Sequence, residues 1–249
     1  MSTPEVRVFP DVDGAARALA AHLVRDARAR VSSTGRFTLA LTGGKTPRRL
    51  YEALGTVHRD DFPWAATEFF WSDERAVPPD DADSNQRLAR ETLLAHGLVP
   101  DARIHPMIRS AEGAQDLERA AVAYEQQLQE LTGDDRPSLD AVLLGLGEDG
   151  HVASLFPYAR SLREQARSVI VVRDSPKPPP VRLTMTVPLI NRSAAVHLLV
   201  VGDDKADAVQ ATLDGARDSN RWPAQGIGPA GGLATWWLDA GAARRLSRR

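Results

Sequence analysis

The sequence predicts an α/β fold: a mostly parallel sheet with helices on both faces. Two observations carry this. Short apolar runs alternate with segments of helical spacing along the whole chain. One run, "LDAVLLGLG", is almost continuously apolar, as a strand covered on both faces is.

The elements follow in order. "EVRVFP" is short and alternating, and reads as a strand. "DVDGAARALAAHLVRDARARVSS" has an acidic start and helical spacing at Ala16, Leu19, Ala20, Leu23 and Val24. "RFTLALTGG" reads as a buried strand, and "TPRRLYEALG" as a helix with Pro47 in its first turn and Gly55 past its end. "TEFFWSDE" reads as one further strand, and "SNQRLARETLLAHG" as a helix capped by Ser84 or Asn85. "GAQDLERAAVAYEQQLQELTG" is a long amphipathic helix. After "LDAVLLGLG", the stretch "HVASLF" reads as a helix start. "SVIVVRD" and "VRLTMTV" are strands on either side of "SPKPPP". That proline cluster reads as a stiff loop rather than a domain linker, because both flanking strands need partners. "AVHLLVVGDD" is a strand, "KADAVQATLDG" a helix closed by Gly215, and "GGLATWWLD" the last strand. "AGAARRLSRR" reads as a basic, frayed tail.

The bulk numbers bound the function. With 249 residues the length fits one large α/β domain or two small domains, and the reading is a single domain over 1–249. A net charge of -2 argues against a general nucleic-acid or membrane-surface binder, while leaving room for a local basic pocket. Without cysteine there is no disulfide, thiolate nucleophile or Cys-ligated metal. The opening "MSTPEVRVFPDVDGAARALA" lacks the basic-then-apolar order of a signal peptide. No apolar run reaches the roughly 20 residues of a membrane span. A cytoplasmic protein is expected.

In open α/β sheets ligands sit at the carboxyl ends of strands, and four such ends carry polar side chains. In "LTGGKTP", Gly43 and Gly44 let the backbone approach a ligand, and Thr42, Lys45 and Thr46 add donors at a helix N-terminus that favours an anion. A plain tight turn would want the same glycines. In "FFWSDERAVPPDDADSN", Asp73, Glu74 and Arg75 follow an apolar strand directly, ahead of a stretch that reads as a covering loop. In "LGLGEDGHVASLFP", Glu148 and Asp149 lie beside His151, so one of them can orient its ring or raise its pKa. Among the six histidines, His151 alone combines a strand end, glycines and acids. In "VVGDDKADA", Lys205 opens a helix, where a cation opposes the dipole and an anionic ligand would resolve the conflict. Nearby, "SPKPPPVRLT" offers Lys177 and Arg182 beside a strand. Together these describe a site for a small phosphorylated molecule with no metal signature. The residue types alone do not choose the reaction.

With these stretches in hand, the chain resembles the 6-phosphogluconolactonases. "LALTGGKTPRRLYEAL", "FFWSDERAVPPDDADSN", "LDAVLLGLGEDGHVASLFP" and "RLTMTVPLINRSAAVHLLVVGDDKADAV" carry the resemblance, and "GGLATWWLDAGAA" fits the family's ending. It implies a Rossmann-like fold shared with glucosamine-6-phosphate isomerase/deaminase. It also implies hydrolysis of 6-phosphogluconolactone to 6-phosphogluconate in the oxidative pentose phosphate pathway. By the same resemblance, "TGGKTP" and Lys205 hold the phosphate, and His151 is the general base with Asp149 beside it. Arg75 and Arg182 line the pocket. Two departures stand out: Lys45 fills a variable position, and "PAQGIGP" has glycines where many relatives carry a basic residue. The late loop is therefore assigned no phosphate contact.

The implied chemistry needs an activated water and a stabilised oxyanion, with no cofactor, metal or covalent intermediate. The expected partner is a small-molecule sugar phosphate, with no nucleic acid and no membrane, for a monomer or small homo-oligomer. The alternative is an aldose–ketose isomerase or deaminase of an amino-sugar phosphate, which needs a carboxylate base such as Asp73. The isomerase relatives support their histidine with a glutamate five positions on, where this chain has Phe156. They also carry an acid pair followed by tyrosine, where this chain has "DER". A third class is a sugar-phosphate sensor attached to a DNA-binding segment. "RRLSRR" is too short for a helix-turn-helix, so turnover is expected rather than binding alone.

Overall fold

A computed structural model describes residues 4–95, 97–110, 116–229 and 232–247. The chain runs β1 (Glu5–Phe9), α1 (Val12–Thr34), β2 (Phe37–Leu41), α2 (Lys45–Thr56), β3 (Thr67–Trp71), β4 (Asp73–Arg75), α3 (Asn85–Thr92) and α4 (Leu117–Thr132). It continues with β5 (Ala141–Leu144), β6 (Val169–Val172), β7 (Arg182–Met185), α5 (Val187–Arg192), β8 (Ala195–Val200), α6 (Ala206–Leu213), β9 (Leu233–Asp239) and α7 (Ala240–Ala243).

Six strands form one sheet in the order β1-β9-β8-β5-β2-β3, with every neighbouring pair parallel. β2, β3 and β5 are buried along their whole length, which accounts for their unbroken apolar runs. α1 starts at Asp11, whose carboxylate accepts from the Gly14 N–H at 2.7 Å. It buries the face expected of it, Ala16, Leu19, Ala20, Leu23 and Val24 included. Trp71, Trp237, Phe37, Phe69 and Phe70 are fully buried, each contributing about 1.5–3 kcal/mol of apolar transfer. The strand order reverses at β2, which has β3 on one side and β5 on the other. Loops leaving the carboxyl ends of β2 and β5 therefore diverge around a crevice.

The structure corrects several expectations. "TEFFWSDE" is two strands rather than one. At Ser72 the chain leaves the parallel sheet: its N–H donates to Leu41 O at 2.7 Å, and its carbonyl accepts from Met185 N at 2.8 Å. β4 then pairs antiparallel with β7, and β7 with β6, in a second sheet ordered β4-β7-β6. The two strands around "SPKPPP" thus find each other instead of joining the parallel sheet. "HVASLF" starts no helix. Ala153 has φ 48, Val152 bridges Leu155, and the Ser154 hydroxyl donates to Asp73 Oδ2 at 2.7 Å. These pairings outweigh local helical preference. Gly55 lies inside α2, which closes where Val57 N–H donates to Ala53 O at 3.0 Å. "AGAARRLSRR" begins as α7, capped by Asp239, with Ala242 and Ala243 buried. No helix among the described residues is long and apolar enough to cross a membrane.

His197 sits in the middle of β8, fully buried, with the Trp237 Nε1–H donating to its Nδ1 at 3.3 Å. Burial, reinforced by the neighbouring His22, pushes its pKa down from 6.5 to about 3. The unfolded chain therefore binds a proton on His197 at a pH where the folded protein does not. The resulting stability is full above pH 6.5 and is lost as pH falls toward about 3. Denaturant titrations across that window will show unfolding free energy falling with acidification. The decline will be shallower in His197→Phe, and an unchanged slope in that variant would disprove the assignment.

Candidate active site

The loop after β2 is built by backbone constraints. Thr42 N–H donates to the Tyr51 hydroxyl at 2.9 Å, and that hydroxyl donates back to Thr42 O at 2.6 Å, so α2 holds the loop it follows. At Gly43 a Cβ would lie 1.7 Å from Asn85 Oδ1, so no larger residue fits between loop and α3. α2 then begins at Lys45 with no side-chain cap and no acid in its first turn. Its first amides are left for a ligand.

Asn85 is held in turn by β4. Its side-chain amide donates to Asp73 O at 2.9 Å and to Asp73 Oδ1 at 3.3 Å. The buried Glu74 accepts from the N–H groups of Asn85, Gln86 and Arg75 at 2.7, 2.7 and 2.8 Å, and from Ser84 Oγ at 3.2 Å. Burial pushes Glu74 up to about 7 against those N–H groups. Ser84 is the residue that caps α3.

The turn after β5 carries a carboxylate–imidazole pair. Asp149 Oδ1 lies 2.5 Å from His151 Nδ1. Gly147 makes room for it: a Cβ there would lie 2.0 Å from His151 Nδ1 and 2.5 Å from Asp149 Oδ1. Gly147 N–H donates to His151 O at 2.9 Å and closes the turn. Burial acts to raise the Asp149 pKa, but the hydrogen bond and charge of His151 prevail and hold it well below the ordinary carboxylate value. The Phe156 ring packs on the imidazole at 4.5 Å between centroids. The late loop braces this turn from behind: Ala224 N–H donates to Gly150 O at 3.1 Å, and Arg221 Nη1 to Asp149 O at 3.2 Å.

The second sheet supplies the remaining wall. Arg75 and Arg182 are directly paired across β4 and β7. Arg75 Nη1 donates to Asp83 O at 2.8 Å. Arg182 donates from Nε to Pro179 O at 3.0 Å, and from Nη2 to Lys177 O and Pro178 O, both at 3.1 Å. The cation nearest Asp73 among the described residues is Arg182, with Nη1 4.0 Å from Oδ2. At the end of β8, Lys205 Nζ lies 3.3 Å from Asp204 and 3.7 Å from Glu148.

These walls enclose a cavity of about 430 Å³. Thr42, Gly43, Gly44, Lys45, Thr46, Asp73, Arg75, His151, Arg182 and Lys205 all line it. Asp149 is the one expected residue outside the lining, standing behind His151. Of the two acids beside His151, Asp149 takes the ring and Glu148 faces Lys205. Asn85, read from sequence only as a possible cap, also lines the cavity, as does Lys177. Ser154, which anchors the turn to Asp73, carried no sequence signal. "PAQGIGP" contributes no lining residue among those described.

One group among the described residues brings three potential metal ligands within 4.8 Å: His22, Asp26 and His197, away from this cavity. The Trp237 N–H and the Arg25 guanidinium face the imidazole nitrogens of His197 and His22. Both are donors, whereas metal-bound histidines present their second nitrogen to an acceptor. The group is therefore poorly suited to a metal.

Fold and site together define a doubly wound α/β protein with a pocket lined by lysines and arginines at its switch point. The chain belongs to the family described as glucosamine-6-phosphate isomerases/6-phosphogluconolactonase, whose profile matches residues 10–237. A relative in Mycobacterium tuberculosis, named 6-phosphogluconolactonase, is 42% identical over 97% of this chain and 98% of its own. A 6-phosphogluconolactonase of Streptomyces coelicolor is 39% identical over 99% of this chain and 96% of its own. The solved structure of 6-phosphogluconolactonase from Trypanosoma brucei superposes with a TM-score of 0.84 at 30% identity, covering 98% of this chain and 99% of that one.

The Gly147 contacts make a direct prediction. In Gly147→Ala the new methyl displaces the imidazole from Asp149. NMR of the variant will show the Asp149 carboxyl titrating at higher pH than in the wild type, with His151 no longer confined to one tautomer. An Asp149 titration that stays low would refute the role given to this glycine.

Proposed function

We propose that this chain hydrolyses 6-phosphoglucono-1,5-lactone to 6-phosphogluconate, the second step of the oxidative pentose phosphate pathway, in the cytoplasm, with His151 as general base. The carrying observation is the short Asp149–His151 contact at Nδ1, which leaves Nε2 as the nitrogen that accepts a proton. The family and the relatives named above support the reaction class.

The substrate phosphate sits at the first amides of α2 and within reach of Lys205, where partial and full positive charges converge. The lactone ring then lies toward His151. The imidazole takes a proton from a water as its oxygen bonds to C1. Negative charge develops on the former carbonyl oxygen, against the cations lining this wall. The tetrahedral centre collapses with cleavage of the bond between C1 and the ring oxygen. The ring oxygen leaves as the C5 hydroxyl, taking the proton from His151. The new carboxylic acid ionises to carboxylate, releasing one proton. Asp149 keeps the imidazole in one tautomer and stabilises its charged form between the two transfers.

Phe156 favours hydrolysis over isomerisation. It covers the imidazole with an apolar ring where the isomerase relatives are expected to place a carboxylate. Asp73, the candidate carbon base, is buried and already bonded to Ser154 and Asn85.

Two outcomes test this. With lactone generated in situ and spontaneous hydrolysis subtracted, His151→Ala will lower kcat by about 10²–10⁴-fold with little change in KM. Near-normal turnover in the folded variant would remove the general-base role. For the phosphate, Lys205→Ala will weaken 6-phosphogluconate binding about tenfold or more, the worth of a charge-assisted hydrogen bond. The unphosphorylated glucono-lactone will be a poor substrate. Equal kcat/KM with and without the phosphate would overturn this placement.

A further inference from the structure

Lys177 lines the same cavity as His151, half-buried, and no described residue hydrogen-bonds or ion-pairs with its ammonium. Its positive charge acts on Asp149. Its backbone, by contrast, is held from two sides. The Ser175 hydroxyl donates to Lys177 O at 2.8 Å and accepts from Lys177 N–H at 3.2 Å. Arg182 Nη2 donates to the same carbonyl at 3.1 Å. The arginine expected to meet the substrate is therefore committed to three carbonyls of the proline loop, and Arg75 to the Asp83 carbonyl. Lys205 already faces two carboxylates. Among the described cations lining the cavity, Lys45 and Lys177 have no hydrogen-bond or ion-pair partner, and of the two it is Lys177 whose charge acts on Asp149, from a loop stiffened by three consecutive prolines.

Hydrolysis changes charge at one place only. C1 of the lactone is neutral, becomes an oxyanion in the transition state, and ends as a carboxylate. A cation placed there stabilises the transition state and the product over the substrate. We propose that Lys177 receives this charge: it is the residue that stabilises the C1 oxyanion and binds the product carboxylate, with Arg182 and Ser175 as its positioning residues. This rests on the lactone-hydrolysis reading above.

The test is calorimetric and does not depend on turnover. 6-Phosphogluconate and glucitol 6-phosphate share the phosphate and the hydroxylated chain, and only the first has a carboxylate. The wild type will bind 6-phosphogluconate more tightly. Lys177→Met and Lys177→Gln will weaken 6-phosphogluconate about tenfold or more, leave glucitol 6-phosphate unchanged, and lower kcat. Lys177→Arg will retain the discrimination. Unchanged binding of glucitol 6-phosphate also reports that the variants are folded. If the variants weaken both ligands equally, or neither, the proposal is overturned. A wild type that binds both ligands without hydrolysing the lactone would instead overturn the hydrolase reading. Hydrolysis in the wild type with unaltered discrimination in Lys177→Met would overturn this inference alone.

Discussion

A buried carboxylate must have its oxygens satisfied, and this fold places two of them in succession on the three-residue strand β4. Glu74 takes up the opening amides of α3 together with the Ser84 hydroxyl. Asp73 takes up Ser154 from the turn beyond His151 and Asn85 from α3, and faces Arg182 on β7. Asn85 in turn packs against Gly43 of the loop after β2. The loop after β2, the histidine turn and the proline loop are thus all referred to one short strand. Removing one hydrogen-bonding partner from such a network leaves a buried oxygen unsatisfied, which costs about 1–3 kcal/mol. The geometry of the pocket is therefore tied to the stability of the fold around it.

This arrangement needs the chain to leave the parallel sheet at Ser72. Parallel strands open their carboxyl ends on one side, but they supply only one rim of a site. The hand-off to an antiparallel second sheet raises a wall opposite that rim and brings Arg75 and Arg182 over it. A chain of net charge -2 in this way concentrates Lys45, Arg75, Lys177, Arg182 and Lys205 around one cavity. Net charge describes the whole surface, whereas recognition of a phosphorylated ligand depends on the local field.

Much of this was legible in the sequence because it is local. Unbroken apolar runs marked β2 and β5, and glycine-rich strand ends marked the loops after them. Acid–histidine proximity marked the turn after β5. What escaped is what depends on residues distant in the chain. Ser72 carries no glycine or proline to announce a change of sheet, and only pairing with Leu41 and Met185 makes it one. "HVASLF" has helical composition, but Ser154 is claimed by Asp73, 81 residues earlier. The choice between Glu148 and Asp149 depended on which carboxylate the turn directs inward, and adjacency does not encode that. Arg182, placed in the pocket wall by resemblance, does line it, but no local signal showed that three of its hydrogen bonds hold the proline loop in place.

The contact between His151 and Phe156 bears on how one scaffold hosts two chemistries. The proposed hydrolysis and the alternative isomerisation both call on an imidazole at this turn, and β5 with the glycines after it provides the position. The neighbour five residues on sets what packs against that imidazole. A carboxylate there would give the ring a second anionic partner and favour a held proton. Phe156 instead shields the ring face, and the Arg182 guanidinium lies 5.6 Å above the phenyl on its way to the proline loop. Apolar cover lowers the local dielectric and strengthens the Asp149 contact at Nδ1. With Asp149 on Nδ1, Nε2 is the nitrogen left to take up a proton, which suits the proposed role of a ring that borrows a proton from water and returns it to the departing ring oxygen.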